Sequence, residues 1–143
     1  MSSKATKHIT QQFQEDIFNI DQHNELRVSL NIKPEALVNI SNALYSEYKY
    51  RFIIASGLHT KRGFEIYYHF SNDQSGEIIN LYVLLPHDKP EVASLTGLFS
   101  ASEWIEREIH ELLGINFKGH PNLVPLLSEG NWPQGTYPYR KEF

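Results

Sequence analysis

Two strongly β-forming segments joined by a short polar loop place the tightest limit on the fold of this chain. Residues 64–70 are rich in aromatic side chains, residues 71–76 are polar and end in a glycine, and residues 77–85 are largely apolar. Two strands joined by so short a loop must pair in antiparallel fashion. The sequence therefore predicts a sheet built around this hairpin, with residues 77–85 as its most buried strand.

The segments before the hairpin extend this prediction to an α+β domain. Residues 26–32 alternate apolar and polar side chains, which predicts a half-buried strand, and a helix is predicted from Pro34 onward. Residues 50–56 predict another strand, which Gly57 is expected to end. Because a helix separates the first two strands, the chain is expected to cross over there, so the sheet should be mixed or mainly antiparallel.

The segments after the hairpin predict helices followed by an irregular tail. Residues 92–99 predict a short helix, and residues 100–102 offer N-cap candidates for a longer one that ends at Gly114. In that longer helix, Ile105, Ile109 and Leu112 are predicted to form the core stripe, with Trp104 and Leu113 beside it.

Together these elements predict a two-layer α+β fold. It should contain roughly four strands in a mixed or mainly antiparallel sheet, helices on one face, and an irregular C-terminal tail. Residues 1–12 are expected to be a flexible, frayed or loosely helical segment, residues 13–113 to form the α+β domain, and residues 114–143 to be a tail of the same domain.

The composition excludes several classes of function. The chain has 143 residues, a net charge of −4 and no cysteine. It can therefore form no disulfide, thiolate metal site or cysteine-ligated iron–sulfur cluster, and it lacks the basic balance that nucleic-acid binding needs. The longest apolar stretch, residues 78–85, is too short for a membrane span, and no basic-then-apolar leader is seen. We expect a soluble, intracellular single domain.

The tail combines an irregular pattern with many packing side chains. A long segment without periodicity is usually functional or disordered, and disordered segments lack apolar groups. The apolar and aromatic side chains here are Ile115, Phe117, Leu123, Val124, Leu126, Leu127, Trp132, Tyr137, Tyr139 and Phe143. The tail is therefore expected to lie on a surface, which is either its own sheet or a partner.

Three ordered motifs carry a family resemblance. They are Glu106-Arg107-Glu108-Ile109-His110-Glu111-Leu112-Leu113-Gly114-Ile115 with Phe117, then Gly119-His120-Pro121-Asn122-Leu123, then Pro138-Tyr139-Arg140-Lys141-Glu142-Phe143. The chain resembles the thirty-kilodalton subunit family of respiratory complex I, also called the C subunit of NADH-quinone oxidoreductase. That family includes the equivalent subunits of membrane-bound nickel–iron hydrogenases.

Two sequence details of the chain are similar to one branch of that family. Val124-Pro125 stands where respiratory members usually carry basic residues, and residues 132–138 have the Trp-Pro-x-Gly-x-Tyr-Pro spacing of the hydrogenase and formate hydrogenlyase branch. The resemblance thus implies a structural subunit docked on a large nickel–iron hydrogenase-type subunit. The alternative is the C subunit of NADH-quinone oxidoreductase, which contacts the quinone-module subunit.

The resemblance also implies where the chemistry lies. No cofactor is expected on this chain, and a nickel–iron centre, iron–sulfur clusters or quinone are expected in the large subunit and adjacent iron–sulfur subunits. The chain should be peripheral, on the cytoplasmic side of the membrane, with residues 114–143 as its partner-docking tail. The predicted interface consists of Glu106, Arg107, Glu108, Glu111, His120, Pro121, Tyr137, Tyr139, Arg140, Lys141 and Phe143.

A stand-alone enzyme is the competing hypothesis from another class. It would use a pocket around His120, Glu106 and Glu111, because titratable groups are dense near one helix. The seven histidines include no pair at zinc-ligand spacing on a helix, however. A structural role for His120, in which the ring caps a turn or bonds a neighbouring carboxylate, is therefore favoured.

Overall fold

The computed structural model describes residues 3–124 and 136–142. Within those residues the helices are α1 (Lys4–Gln12), α2 (Leu37–Ser46) and α3 (Ser102–Leu113). The strands are β1 (Ile17–Asn24), β2 (Arg27–Ile32), β3 (Arg51–Thr60), β4 (Gly63–Ser71), β5 (Ile78–Leu85), β6 (Glu91–Ala93) and β7 (Asn116–Lys118). Short 3-10 turns, Gln14–Asp16 and Pro34–Ala36, precede β1 and α2.

The main sheet is mixed, which confirms the predicted α+β class. Its strand order is β1-β2-β5-β4-β3. The β1–β2 pair is antiparallel, whereas β2 and β5 run parallel, with Leu30 opposite Leu81. The strand that pairs with β2 is therefore β5, whereas β3, which follows α2 in the chain, lies at the other edge of the sheet.

This sheet has five strands rather than the roughly four expected. The additional strand is β1, an edge strand whose side chains are all exposed or half-buried. An edge strand without a buried face shows no apolar–polar alternation, so periodicity alone could not reveal it. Residues 4–12, expected to be loosely helical or flexible, form α1, with Ser3 as its N-cap and Ile9 buried.

The described residues divide into two compact units. The first contains residues 3–54 and 67–83. Its core alternates along β2 through Val28, Leu30 and Ile32, and follows α2 at helical spacing. A buried carboxylate, Glu77, accepts hydrogen bonds from the hydroxyls of Tyr50 and Ser3, which ties the start of α1 to this core.

The second unit contains residues 55–66, 84–124 and 136–142. In it, β6 pairs with β7 in parallel, and Val92 lies opposite Phe117 with both side chains buried. The short helix predicted for residues 92–99 is therefore wrong, and the tail expected to be irregular contains a strand. Segments of three residues are too short for periodicity to separate strand from helix.

Gly57 does not end β3, because the strand continues to Thr60. A Cβ at Gly57 would lie 3.1 Å from Leu113 Cδ1 and 3.2 Å from the Cγ2 of Ile109. The glycine thus lets α3 approach the strand closely, which is a recognised role of glycine within strands. The predicted strand end at Gly57 was wrong because the helix that packs on this glycine is distant in the chain.

Candidate functional site

Helix α3 buries only part of the predicted stripe, because Ile109 and Leu113 are buried as expected while Ile105 and Leu112 are half-buried. Its buried side chains are Ser102, Glu106, Ile109, Glu111 and Leu113, whereas Trp104 is 65% exposed. Gly114 ends the helix as predicted, in the left-handed conformation with φ +77°. The N-cap is Ala101, which makes no side-chain capping bond. The prediction missed the buried Glu106 and Glu111, because a carboxylate that finds hydrogen-bond donors can be buried in place of an apolar group.

Glu106 supplies that carboxylate. It is only 1% exposed, and its two oxygens accept hydrogen bonds from the Ser94 hydroxyl at 2.5 Å and the Leu95 backbone N–H at 2.8 Å. Burial raises the pKa of the Glu106 carboxyl, while these bonds, nearby His120 and the Ser102 hydroxyl oppose the rise. Glu106 thus fastens the segment after β6 to α3 and is enclosed by its own chain. Its assignment to a partner-facing surface does not fit this position.

His120 is also engaged within the chain. Its Nε2 lies 2.9 Å from the carbonyl oxygen of Glu103, and its Nδ1 accepts a 3.0 Å hydrogen bond from the Asn122 N–H. The ring caps a turn, as the structural interpretation predicted. Because both ring nitrogens are used, the arrangement does not offer a free acid–base group. Arg107 likewise reaches along the chain, and its Nε donates to the Val124 carbonyl at 3.0 Å.

The C-terminal segment, residues 136–142, lies against the end of α3. The Tyr139 N–H donates to the Leu112 carbonyl at 3.0 Å, and the Arg140 N–H to the Tyr137 carbonyl at 3.1 Å. A Cβ on Gly114 would lie 2.7 Å from both Tyr137 and Arg140 side-chain atoms. Gly114 therefore serves twice, since it supplies the positive φ of the helix end and leaves room for this segment.

Arg140 makes the central contact of the segment. Its Nε donates to the Leu113 carbonyl at 2.6 Å, and its guanidinium carbon lies 4.6 Å from the Tyr137 ring centre and 4.9 Å from that of Phe64. The guanidinium thus satisfies a free carbonyl at the negative end of the helix and stacks on two aromatic faces.

Two histidines outside the predicted site complete the attachment. The Lys141 N–H donates to His59 Nδ1 at 3.0 Å, His59 Nε2 lies 2.9 Å from His87 Nδ1, and His87 Nε2 lies 2.9 Å from the Lys61 carbonyl oxygen. The His59 ring also stacks on Phe64, with ring centres 4.2 Å apart. Neither histidine shows a recognisable spacing to the tail motifs, so only folding could reveal the cluster.

Beside this attachment is an open cleft of about 360 Å³. Its lining residues are Gly57, Leu58, His59, Leu113, Pro138, Tyr139, Arg140 and Lys141. Tyr139 is 63% exposed here, and the Lys141 side chain is also exposed. The cleft therefore offers a cationic rim beside an exposed aromatic ring.

The structure brings only some of the predicted interface residues together. Tyr137, Tyr139, Arg140 and Lys141 share the C-terminal segment at the end of α3. Glu111 is buried like Glu106, whereas Glu108 and Pro121 are exposed. Phe143 and residues 125–135, with most of the Trp-Pro-x-Gly spacing, lie outside the described residues.

The described part of the chain contains neither a cluster of metal-ligating side chains nor a helix that could cross a membrane. Residues 3–124 and 136–142 contain no group of three or more metal-ligating side chains placed to hold an ion. Across the same ranges, none of the helices has the length and apolar character needed to cross a bilayer.

Comparisons with known proteins agree on one family. Residues 30–143 match the family described as respiratory-chain NADH dehydrogenase, 30 Kd subunit. The C subunit of the NADH-quinone oxidoreductase of Citrifermentans bemidjiense is 28% identical over 120 residues, which cover 81% of this chain and 73% of that protein. The protein of the same name from Mycolicibacterium gilvum is 30% identical over 138 residues, or 92% of this chain and 60% of that protein.

A third relative belongs to a different dehydrogenase. The C subunit of the F(420)H(2) dehydrogenase of Methanosarcina mazei is 37% identical over 79 residues, which cover 55% of this chain and 49% of that protein. The chain thus spans about half to three quarters of the length of these curated relatives.

Two solved structures share the fold. The trypsin-resistant fragment (1-134) of Nqo5 has a TM-score of 0.67 at 18% identity, covering 83% of this chain and 99% of the fragment. A chain of the membrane-bound sulfane sulfur reductase, an archaeal respiratory membrane complex, has a TM-score of 0.78 at 19% identity, covering 94% of this chain and 81% of that chain.

Proposed function

Because this chain belongs to the respiratory-chain NADH dehydrogenase 30 Kd subunit family, we propose that it is a non-catalytic structural subunit, or domain, of a membrane-associated redox complex. The observation that carries the proposal is the family match over residues 30–143, which takes in both α3 and the C-terminal segment. The relatives from Citrifermentans and Methanosarcina are named as subunits of electron-transfer complexes, which supports the same role.

We propose that the chain docks on the large subunit of its complex through the surface formed by the C-terminal segment and the exposed face of α3. Support comes from the exposed Tyr139 and Trp104 rings and from the two cations Arg140 and Lys141. Aromatic and arginine side chains are enriched among the residues that dominate binding energy at interfaces. The attachment of the segment to α3 orders these groups before binding, which lowers the entropy cost of docking.

The large subunit is proposed to be of the nickel–iron hydrogenase type, in keeping with the spacing of residues 132–138. The C subunit of NADH-quinone oxidoreductase is the second candidate, and the names of the Citrifermentans and Mycolicibacterium relatives favour it. In both cases the chain is proposed to be peripheral on the cytoplasmic side. The nickel–iron centre, iron–sulfur clusters or quinone would belong to partner subunits, as the absence of cysteine from this chain suggests.

Affinity purification of the tagged chain from native membranes tests the proposal. We expect a large hydrogenase-type or quinone-module subunit to co-purify, and its identity by mass spectrometry distinguishes the two candidates. Recovery of the chain without either subunit would contradict the proposed function. Turnover by the purified chain alone would favour the stand-alone enzyme instead.

A pair of surface substitutions tests the docking surface. Tyr139→Ala should reduce co-purification of the large subunit at least about fivefold, because truncating a hot-spot aromatic costs more than about 1 kcal/mol. Phe18→Ala is the matched control, since Phe18 on β1 is 66% exposed and Tyr139 is 63% exposed. Equal losses in both variants would mean that the docking surface is assigned to the wrong place.

A further inference from the structure

The hydrogen bonds that hold Lys141 form one directional chain. The Lys61 carbonyl oxygen can only accept, so His87 Nε2, 2.9 Å away, must carry a hydrogen. The Lys141 N–H can only donate, so His59 Nδ1 must be free of hydrogen to accept it. When both rings are uncharged, His59 Nε2 then donates to His87 Nδ1, so each donor in this series of hydrogen bonds faces an acceptor.

One added proton disrupts this series of hydrogen bonds, whichever of the two imidazoles it binds. If His59 is charged, its Nδ1–H faces the Lys141 N–H. If His87 is charged, its Nδ1–H faces the Nε2–H of His59. Moving the His59 hydrogen to Nδ1 only returns the conflict to Lys141. Two facing donors cannot form a hydrogen bond, and in both cases the lost bond belongs to the His59 ring, which is only 8% exposed.

We propose that His59 and His87 form a proton-sensitive latch. While both imidazoles are uncharged, its hydrogen bond to Lys141 adds to the contacts of Tyr139 and Arg140 that hold the C-terminal segment, residues 136–142, to its own folded unit. The latch does not depend on the proposed function, since it is built from contacts within one unit of the chain. It assigns a role to two histidines that the docking surface does not otherwise use.

The cations that face His59 also favour its uncharged form. Arg140 and Lys141 face His59 from the C-terminal segment, and His87 faces it from the residues after β5. From β4, Phe64 presents an uncharged ring, and the next residue, Glu65, is paired with Arg62 at 2.8 Å. Lys61 contributes its carbonyl, and Asp88 follows His87 in the chain. The docked segment therefore brings two cations close to His59, and their positive charges favour the uncharged form of its ring.

The direction of the pH effect follows from this arrangement. Burial lowers the pKa of His59 below its ordinary value of 6.5, and the charges of Arg140 and Lys141, together with that of His87 whenever it is protonated, lower it further. The released segment leaves a ring with a more ordinary pKa, so the released state binds the proton more readily. The contribution of the latch is therefore fully present above about pH 6.5 and is lost as the pH falls through that value toward the lowered pKa of the docked state.

Nuclear magnetic resonance on the full chain tests the latch. At pH 7.5, ring ¹⁵N shifts should show both His59 and His87 as Nε2–H tautomers. Amide exchange of Lys141, corrected for intrinsic rate, should lose protection by up to about tenfold per pH unit below 6.5. The Leu30 amide, in the buried part of β2, reports global stability and should change less over the same range. An Nδ1–H tautomer on either ring at pH 7.5, or unchanged Lys141 protection between pH 7.5 and 5, would overturn the proposal.

Glutamine substitutions provide a second measurement. A glutamine side chain carries one acceptor and one donor group without titrating. The double variant His59→Gln, His87→Gln should therefore flatten the pH dependence of Lys141 exchange. His69→Gln is the control, because His69 bonds to Asn80 in the other unit, and it should retain the full pH dependence. A double variant that kept the wild-type pH profile would refute the latch. If the double variant failed to fold, the ring tautomers and the Lys141 amide exchange of the wild-type chain would still test the proposal.

Discussion

Arg140 donates a 2.6 Å hydrogen bond from Nε to the backbone carbonyl of Leu113, so a residue near the end of the chain completes the last turn of α3. Helix ends leave carbonyl groups without partners within the helix, and cations there are favoured by the helix dipole. The C-terminal segment is therefore held by its own unit as well as being proposed to contact a partner.

Replacing Arg140 with lysine should lower the free energy of unfolding by about 1 kcal/mol. The charge remains, but the Nε donor and the planar stacking on Tyr137 and Phe64 are lost. Urea denaturation monitored by circular dichroism measures the change. Lys141→Ala is the control, because the Lys141 backbone and not its side chain bonds His59, and it should cost less than about 0.5 kcal/mol. Equal costs would show that the Leu113 contact contributes nothing.

Replacing Gly114 with alanine should destabilise the chain more than the same change at Gly76. Both glycines have similar positive φ angles, +77° and +76°, so each substitution carries a backbone cost of about 1–2 kcal/mol. Only at Gly114 would the new Cβ meet other atoms, at 2.7 Å from Tyr137 and Arg140, whereas at Gly76 nothing lies within 4 Å. Comparison of the two unfolding free energies isolates the displacement of the C-terminal segment. Matching losses would contradict this close approach.

Substitutions at Glu106 should separate its hydrogen bonds from its charge. Glu106→Leu leaves the buried Leu95 N–H without an acceptor and should cost about 2–4 kcal/mol, whereas Glu106→Gln keeps one acceptor and should cost less. Chemical denaturation at pH 7 measures both. Glu108→Gln on the exposed face of the same helix is the matched control and should be nearly neutral. A neutral Glu106→Leu variant would show that this carboxylate does not fasten the segment.

The stability of the wild-type chain relative to Glu106→Gln should rise as the pH is lowered from 7 toward 4.5. Burial raises the pKa of Glu106 in the folded state, so the folded chain takes up a proton that the unfolded chain, with its ordinary value of 4.5, does not. The stabilising contribution is thus complete below pH 4.5 and lost as the pH rises through the folded-state pKa. Denaturation of both proteins across this range gives the difference, and a flat difference would contradict the raised pKa.

Local patterns predicted those elements whose side chains alternate or repeat clearly. The strands on either side of the loop at residues 71–76 and the helix end at Gly114 agree with the structure. The tail motifs predicted the family, which the match over residues 30–143 confirms. Strand β1 has no buried face, and β6 and β7 have three residues each, so none of them carries a usable period. The inward face of α3 was predicted only in part, because Glu106 is buried with hydrogen-bond donors that lie 11 and 12 residues away.

The α+β class, the hairpin, the helix that ends at Gly114 and the family could be predicted from the sequence, because each depends on side chains that are close in the chain or on ordered motifs. The contacts between distant segments required the folded chain. Folding places β2 beside β5, buries Glu106, and joins Lys141 to a histidine 82 residues away. Such long-range contacts depend on packing and on the pairing of buried polar groups, and neither leaves a period in the sequence.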